Sequence, residues 1–142
     1  MRISAKIDYA CRALVELSLH WPNHIPVQIQ TIAQAQQIPL KFLTQILLSL
    51  KQLGYVKSTR GKKGGYLLSK APKKIKLSAL VEGFGGLGFS AAENKPVNAN
   101  EHIMNKIWQD VNGSLLKALD EVDFEVICDR KRKQDRSFMF QI

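Results

Sequence analysis

The chain has 142 residues, 45% of them apolar, and carries 21 Lys or Arg against 12 Asp or Glu for a net charge of +9. That length buries one moderate core plus an extension, and no run of about eighteen apolar residues is present to span a bilayer. Cys11 and Cys128 are lone cysteines outside any CxxC pair, and no long apolar leader opens the chain. These features exclude a disulfide framework, make a small buried residue the simplest role for each thiol, and predict a cytoplasmic, reducing setting.

The charge is unevenly placed. Residues 1–82 hold 13 Lys or Arg against Asp8, Glu16 and Glu82, a net +10, whereas residues 83–142 sum to −1. A basic half of this kind is the electrostatic footprint of a nucleic-acid face.

Ser4 predicts the N-cap of a first helix reaching about residue 21, before Pro22. Ile7, Ala10, Cys11, Leu14, Leu17 and Trp21 line one side of it, and Tyr9, Ala13 and Leu19 widen the apolar surface, so two neighbours must grip it. Lys6 either reaches a phosphate or stays solvated. After a loop over 23–27, a short helix is predicted over 28–36, with Ile29, Ile32 and Ala33 inward and Gln28, Gln30, Thr31 and Gln34 outward. Such a helix lies across a DNA backbone and supports a second one.

A turn at Gln37-Ile38-Pro39 leads to a longer helix over 40–53, ended by Gly54. Leu40, Leu43, Ile46, Leu47, Leu50 and Leu53 recur at three and four residues and predict one buried stripe. The opposite face carries Lys41, Thr44, Gln45, Lys51 and Gln52. Lys41, Thr44 and Gln45 donate hydrogen bonds suited to base edges or phosphates, and the helix N-terminus favours an anion. An ordinary amphipathic surface helix would show the same periodicity; the next segment separates the two readings.

Strand-like runs over 55–60 and 66–69 flank Gly61-Lys62-Lys63-Gly64-Gly65, a loop whose glycines permit a tight reversal. Lys57, Arg60, Lys62 and Lys63 charge its tip and approach. A solvated hairpin has no need of one-sided charge, but a hairpin beside a phosphate backbone, with Arg60 in a narrow minor groove, does. The P-loop spacing is absent and a strand rather than a helix follows, so nucleotide binding is excluded. The predicted fold class is mainly α with a small β wing: a winged helix-turn-helix DNA-binding domain over 1–82, followed by a long C-terminal dimerisation helix.

Residues 70–76 read as a basic linker containing Pro72, and 77–82 as a short helix with Leu77, Leu80 and Val81 as its contacts. Gly83, Gly85, Gly86 and Gly88 exclude a helix, so 83–100 is predicted to be a Gly-rich loop and a candidate sensor of effectors. Asn100 is the expected cap of a helix over 101–121 whose stripe comprises Ile103, Ile107, Trp108, Val111, Leu115, Ala118, Leu119 and Val122. So long an arm cannot bury its stripe on so small a domain, which points to a homodimer with two recognition helices on successive major grooves. The segment 101–142 is therefore assigned as dimerisation helix and C-terminal segment. Within it, 123–128 fits either a strand, from the alternation of Phe124, Val126 and Cys128, or a helical turn capped by Asp123. Arg130-Lys131-Arg132-Lys133 reads as a solvated tail or an auxiliary phosphate contact.

These residues resemble the family of small bacterial winged-helix regulators that includes IscR, NsrR and CymR. The resemblance runs along nearly the whole chain and rests on Asp8-Tyr9-Ala10 with Arg12-Ala13-Leu14, on residues 38–53 with Gly54-Tyr55-Val56, and on Arg60-Gly61 with Gly64-Gly65-Tyr66-Leu67-Leu68. It implies a homodimer on palindromic double-stranded promoter DNA, base-reading roles for Thr44 and Gln45, and a minor-groove role for Arg60. In cluster-binding members three cysteines before the dimerisation helix hold an iron-sulfur centre, helped by an acidic residue of the partner's first helix. Here those cysteine positions fall at about Ser90, Pro96 and His102. The three-thiolate site is absent. The resemblance leaves open a mixed-ligand 2Fe-2S cluster held by Asp8, Cys11, His102 and Cys128, since imidazole replaces thiolate in such centres. The bland roles are a solvated His102, an Asp8–Arg12 pair and core cysteines.

The leading expectation is a dimeric, sequence-specific transcription regulator sensing redox or iron status. The alternatives are a cluster-free regulator answering to a small molecule or a regulatory protein partner, and a basic module binding RNA or an acidic protein. No nucleophile–base pair, metal triad or cofactor fingerprint is placed by local spacing, which argues against an enzyme.

Overall fold

The structure is a computed structural model that describes residues 3–88 and 95–141. Helix α1 spans Ala5–Leu19, and the Ser4 hydroxyl accepts from the amide of Ile7 at 3.2 Å. It stops short of the expected end, and Trp21 lies 38% exposed instead of on the buried side. Helix α2 is Ile29–Gln36. Gln37 adopts a left-handed conformation (φ 51°, ψ 48°), and the Ile38 amide returns to the Ala33 carbonyl at 3.0 Å. This closure satisfies an orphan carbonyl and reverses the chain. Helix α3, Leu40–Gln52, starts at once after Pro39.

Strands β1 (Val56–Thr59) and β2 (Gly65–Leu68) pair antiparallel, with Val56 opposite Leu68 and Thr59 opposite Gly65. Val27 pairs with Tyr66 on the far side of β2, through amide–carbonyl distances of 2.9 and 2.8 Å. That third edge matters because an isolated two-stranded hairpin is marginal in water.

Helix α1 is the centre of the core. Its Ala10, Ala13, Leu14 and Leu17 pack among Ile32 and Ile38, the α3 residues Leu43, Ile46, Leu47 and Leu50, the wing base Val56 and Leu68, and Ile75 and Leu80. Two members of the expected α3 stripe fall outside it: Leu40 is 46% and Leu53 40% exposed. Leu40 opens the helix ahead of the turn that reaches the core. Leu53 follows the last helical residue and lies over Gly83, whose absent Cβ would stand 3.0 Å from the leucine methyl.

A one-turn 3-10 helix, Pro72–Lys74, leads to α4 (Leu77–Gly83), and α5 (Ala99–Asp120) and α6 (Phe124–Phe140) complete the chain. The cap of α5 is Asn98, accepting from the Glu101 amide at 2.9 Å, so Asn100 lies in the first turn and the expected cap is corrected by two residues. Asp123 caps α6, accepting from the Val126 amide at 2.9 Å. The ambiguous 123–128 segment is thus helical, and the Arg130–Lys133 cluster is mid-helix rather than a tail, with pairs Asp129–Arg132 at 3.2 Å and Lys131–Asp135 at 3.1 Å. Such exposed pairs contribute only about 0.3–0.5 kcal/mol each.

Helix α6 returns to the winged domain. Phe124 is fully buried in its core and Cys128 is 1% exposed. The corner before it is strapped down by Leu77 N to Val122 O at 2.8 Å and Phe124 N to Ile75 O at 3.1 Å. Beside the strap, the Ser78 hydroxyl donates to Asp120 at 2.8 Å and the Lys76 ammonium lies 3.5 Å away; together they hold the Asp120 carboxyl below its ordinary range. In contrast, no residue of α5 is buried, and Ile103, Met104, Ile107, Trp108 and Val111 are 41–55% exposed. Among the described residues, no helix is long and apolar enough to cross a membrane.

Candidate nucleic-acid interface

With Leu43, Ile46, Leu47 and Leu50 sunk into the core, helical geometry turns Lys41, Thr44 and Gln45 outward, and all three are exposed. The Thr44 hydroxyl donates to the Leu40 carbonyl at 2.9 Å, leaving its oxygen to accept. Leu48, 56% exposed, continues the same ridge. Lys41, Thr44, Gln45 and Leu48 stand at i, i+3, i+4 and i+7, an exposed polar edge closed by an apolar side chain.

The wing beside this ridge is shaped by two glycines. A Cβ on Gly64 would lie 2.3 Å from the Thr59 carbonyl oxygen, and one on Gly65 would lie 2.3 Å from that of Val27. Their absence lets the tip fold onto β1 and lets β2 run against residue 27. Arg60, Lys62 and Lys63 are exposed at the tip. The Gln28 side chain donates to the Lys62 carbonyl at 3.2 Å, tying the tip to the start of α2, and the Lys51 ammonium bonds the Ser58 hydroxyl at 2.8 Å, tying α3 to β1. Among the described residues, no carboxylate pairs with Lys41, Arg60, Lys62 or Lys63. The six residues expected to contact DNA are therefore solvent-facing, and their four cations are left for an external anion. Sequence reasoning missed Gln28 as a wing tie and Leu48 as part of the ridge. The i+7 position of Leu48 was readable, but the reach of Gln28 across 34 residues was not.

The residues considered for an iron-sulfur cluster behave differently. Asp8 pairs with Arg12 at 3.1 Å. Cys11 is half-buried, and burial, followed by the neighbouring Asp8 charge, pushes its thiol up to about 11. The Cys128 sulfur sits between α6 and α1, 3.9 Å from the Val15 carbonyl oxygen, its thiol raised by burial. His102 is exposed in the first turns of α5. Among the described residues no three His, Cys, Asp or Glu side chains form a group able to hold a metal ion. Within the single chain the described residues do not gather Asp8, Cys11, His102 and Cys128 in one place: Cys128 is buried in a helix–helix contact and Asp8 pairs with Arg12. Of the positions aligned with the family's cysteines, Pro96 is exposed and offers no ligand, and Ser90 lies outside the described residues. Lys6, offered above as a phosphate contact, stands 5.6 Å from the Phe84 ring centroid.

Residues 3–130 match the family model Rrf2, described as an iron-dependent transcriptional regulator. The chain is 31% identical over 123 residues to the HTH-type protein slr0846 of Synechocystis sp., covering 84% of this chain and 82% of that one. To the HTH-type transcriptional regulator IscR of Pectobacterium carotovorum it is 27% identical over 139 residues, covering 95% and 84%. A solved structure of T. potens IscR superposes with a TM-score of 0.76 at 26% identity, covering 92% of this chain and 88% of the other. CymR, the global cysteine regulator of B. subtilis, shares the fold with a TM-score of 0.76 at 24% identity. With a winged helix-turn-helix, an unneutralised basic face and a family match along residues 3–130, the chain belongs to the Rrf2 family of DNA-binding transcriptional regulators.

Proposed function

We propose that this protein acts as a cytoplasmic homodimer on palindromic promoter DNA, with Lys41, Thr44, Gln45 and α3 in the major groove and Arg60, Lys62 and Lys63 on the adjacent minor groove and phosphates. The observation that carries this reading is the exposed face of α3 and the wing, whose cations Lys41, Arg60, Lys62 and Lys63 pair with no carboxylate among the described residues. Phosphate contacts set register and most of the affinity, and the ridge side chains set sequence preference. Arg60→Ala is expected to weaken binding to a promoter fragment and flatten its salt dependence by roughly one charge. Gln45→Ala is expected to relax base preference at one position by about 1–3 kcal/mol. Fluorescence anisotropy against duplexes with single base changes reads both; unaltered affinity and preference in the two variants would sink the docking arrangement. Binding that is salt-dependent but blind to sequence would favour the basic-module alternative.

The signal, on this reading, does not come through a cluster held by Asp8, Cys11, His102 and Cys128. Support comes from the engagement of Asp8 with Arg12 and the burial of Cys128. Anaerobically purified protein is expected to be colourless and still able to bind promoter DNA. Stoichiometric iron and acid-labile sulfide, lost in Cys11→Ala, would overturn this part of the proposal. A small molecule or a protein partner is then the class of effector that remains.

A further inference from the structure

We propose that the cavity between α1, the 3-10 turn and α6 binds a small monocarboxylate carrying a second polar group, and that this ligand is the effector of the regulator described above. The effector role rests on the DNA-binding reading; the binding itself does not.

The cavity measures about 170 Å3 and is bordered by Ser18 and Trp21 of α1, Lys73 of the turn, and Glu125, Cys128 and Arg132 of α6. That is room for on the order of ten water-sized groups. Ser18 and Cys128, each 1% exposed, make its buried end. The Ser18 hydroxyl lies near the Cys128 sulfur, yet its oxygen has no hydrogen-bond partner. Among the described residues it is the one buried side-chain oxygen or nitrogen so placed. A buried hydroxyl is costly to leave unpaired, and such groups are rare in folded proteins. A polar ligand atom at this end of the cavity completes it.

The outer end has a different chemistry. Lys73, Glu125 and Arg132 are exposed there. Lys73 and Glu125 have no ion-pair partner among the described residues, and Arg132 commits one terminal nitrogen to Asp129 at 3.2 Å while keeping the other. Two sources of N–H donors thus suit a single carboxylate, and the Glu125 charge disfavours a second one. Between the two ends, Trp21, 38% exposed, and the buried Pro72 supply apolar wall for the body of the ligand.

The location gives the ligand its leverage. The turn leads to Ile75, whose carbonyl accepts from the Phe124 amide at 3.1 Å in the strap between the winged domain and the α5–α6 corner. A molecule bonded to α1, the turn and α6 together bears on that corner. In the homodimer proposed above, the set of the corner governs the distance between the two recognition helices.

NMR of the full-length 15N-labelled protein tests the site through the Trp21 indole signal, identified by its loss in Trp21→Phe. The probes are 4-hydroxybenzoate, 4-hydroxybutyrate, benzoate and 4-hydroxybenzamide. Both hydroxy acids are expected to move the signal with dissociation constants on the order of 1 mM or tighter, as ligands of this size allow. The amide should bind at least about tenfold more weakly than its acid, and Lys73→Ala and Arg132→Gln should each weaken the acids by a similar factor. Ser18→Ala should weaken 4-hydroxybenzoate about fivefold and leave benzoate unchanged. Carboxylates that leave the signal unmoved up to about 10 mM, equal binding of acid and amide, or a Ser18→Ala that weakens both benzoates alike would overturn the site. Should Ser18→Ala not fold, the variants at the exposed positions 73 and 132 decide it. The effector role is read separately, by anisotropy on a duplex enriched from a random pool by the wild-type protein. Adding 4-hydroxybenzoate should change its affinity about fivefold or more, and the change should vanish in Lys73→Ala. An unmoved affinity with the ligand bound would overturn the effector role. A wild-type protein that enriches no sequence would remove the DNA-reading premise and the effector role with it, while the NMR result on the site stands by itself.

Discussion

Gly65→Ala is expected to dismantle the wing and to cost about 3 kcal/mol or more in stability, at the upper end of what single substitutions do. The added Cβ would be placed 2.3 Å from the carbonyl oxygen of Val27 and 2.6 Å from its carbonyl carbon. Both are backbone atoms, so no side-chain rotation relieves the clash. The residue also has φ +155°, a conformation that side chains rarely adopt. To accept the methyl, β2 must move off residue 27, breaking the paired bonds between Val27 and Tyr66 and drawing the wing tip away from its Gln28 tie. For a chain of this size, the loss corresponds to a fall in midpoint of roughly 10 °C. Thermal unfolding, with hydrogen exchange at the Tyr66 amide, checks it: an unchanged midpoint with Tyr66 still protected would show that the Val27 bridge does not hold the wing. Where the variant remains folded, its promoter affinity should fall with the loss of ordered wing contacts.

The second large effect concerns the uncovered face of α5. The double variant Ile107→Lys, Val111→Lys is expected to be monomeric in sedimentation and to lose about a hundredfold or more in affinity for a palindromic duplex, because two half-sites are then no longer engaged together. Both residues are more than 40% exposed, so their replacement leaves the core of the single chain untouched. Ile103, Met104, Ile107 and Val111 form an exposed ridge on a 22-residue helix with no buried position, and in the homodimer proposed above this ridge is expected to pack on a second copy. Substitution is a cleaner test than removing everything after residue 100, since that truncation would also strip Phe124 and Cys128 from the core of the winged domain. A double variant that still sediments as a dimer would place the subunit contact elsewhere.

The exposed face of α3 and the wing was legible from residues that lie close in sequence. Helical spacing of Leu43, Ile46, Leu47 and Leu50 dictates which side of α3 is buried and hence that Lys41, Thr44 and Gln45 face outward. The glycines and lysines of 61–65 define the wing, and Ser4 announces a helix start because a cap acts within three residues, whereas 123–128 stayed open between a strand and a helical turn capped by Asp123. The charge imbalance between 1–82 and 83–142 needs only counting. Tertiary structure alone decided what lies across longer separations: the return of α6, which buries Phe124 and Cys128; the reach of Gln28 to Lys62; and the grip of Arg12 on Gln36 and Gln37. The family resemblance offered Asp8, Cys11, His102 and Cys128 as ligands, but neither resemblance nor helical spacing says which face of a helix meets another helix. The packing of α6 on α1 answered that for Cys128, where exclusion of water from an apolar contact governs and no local pattern reports the partner.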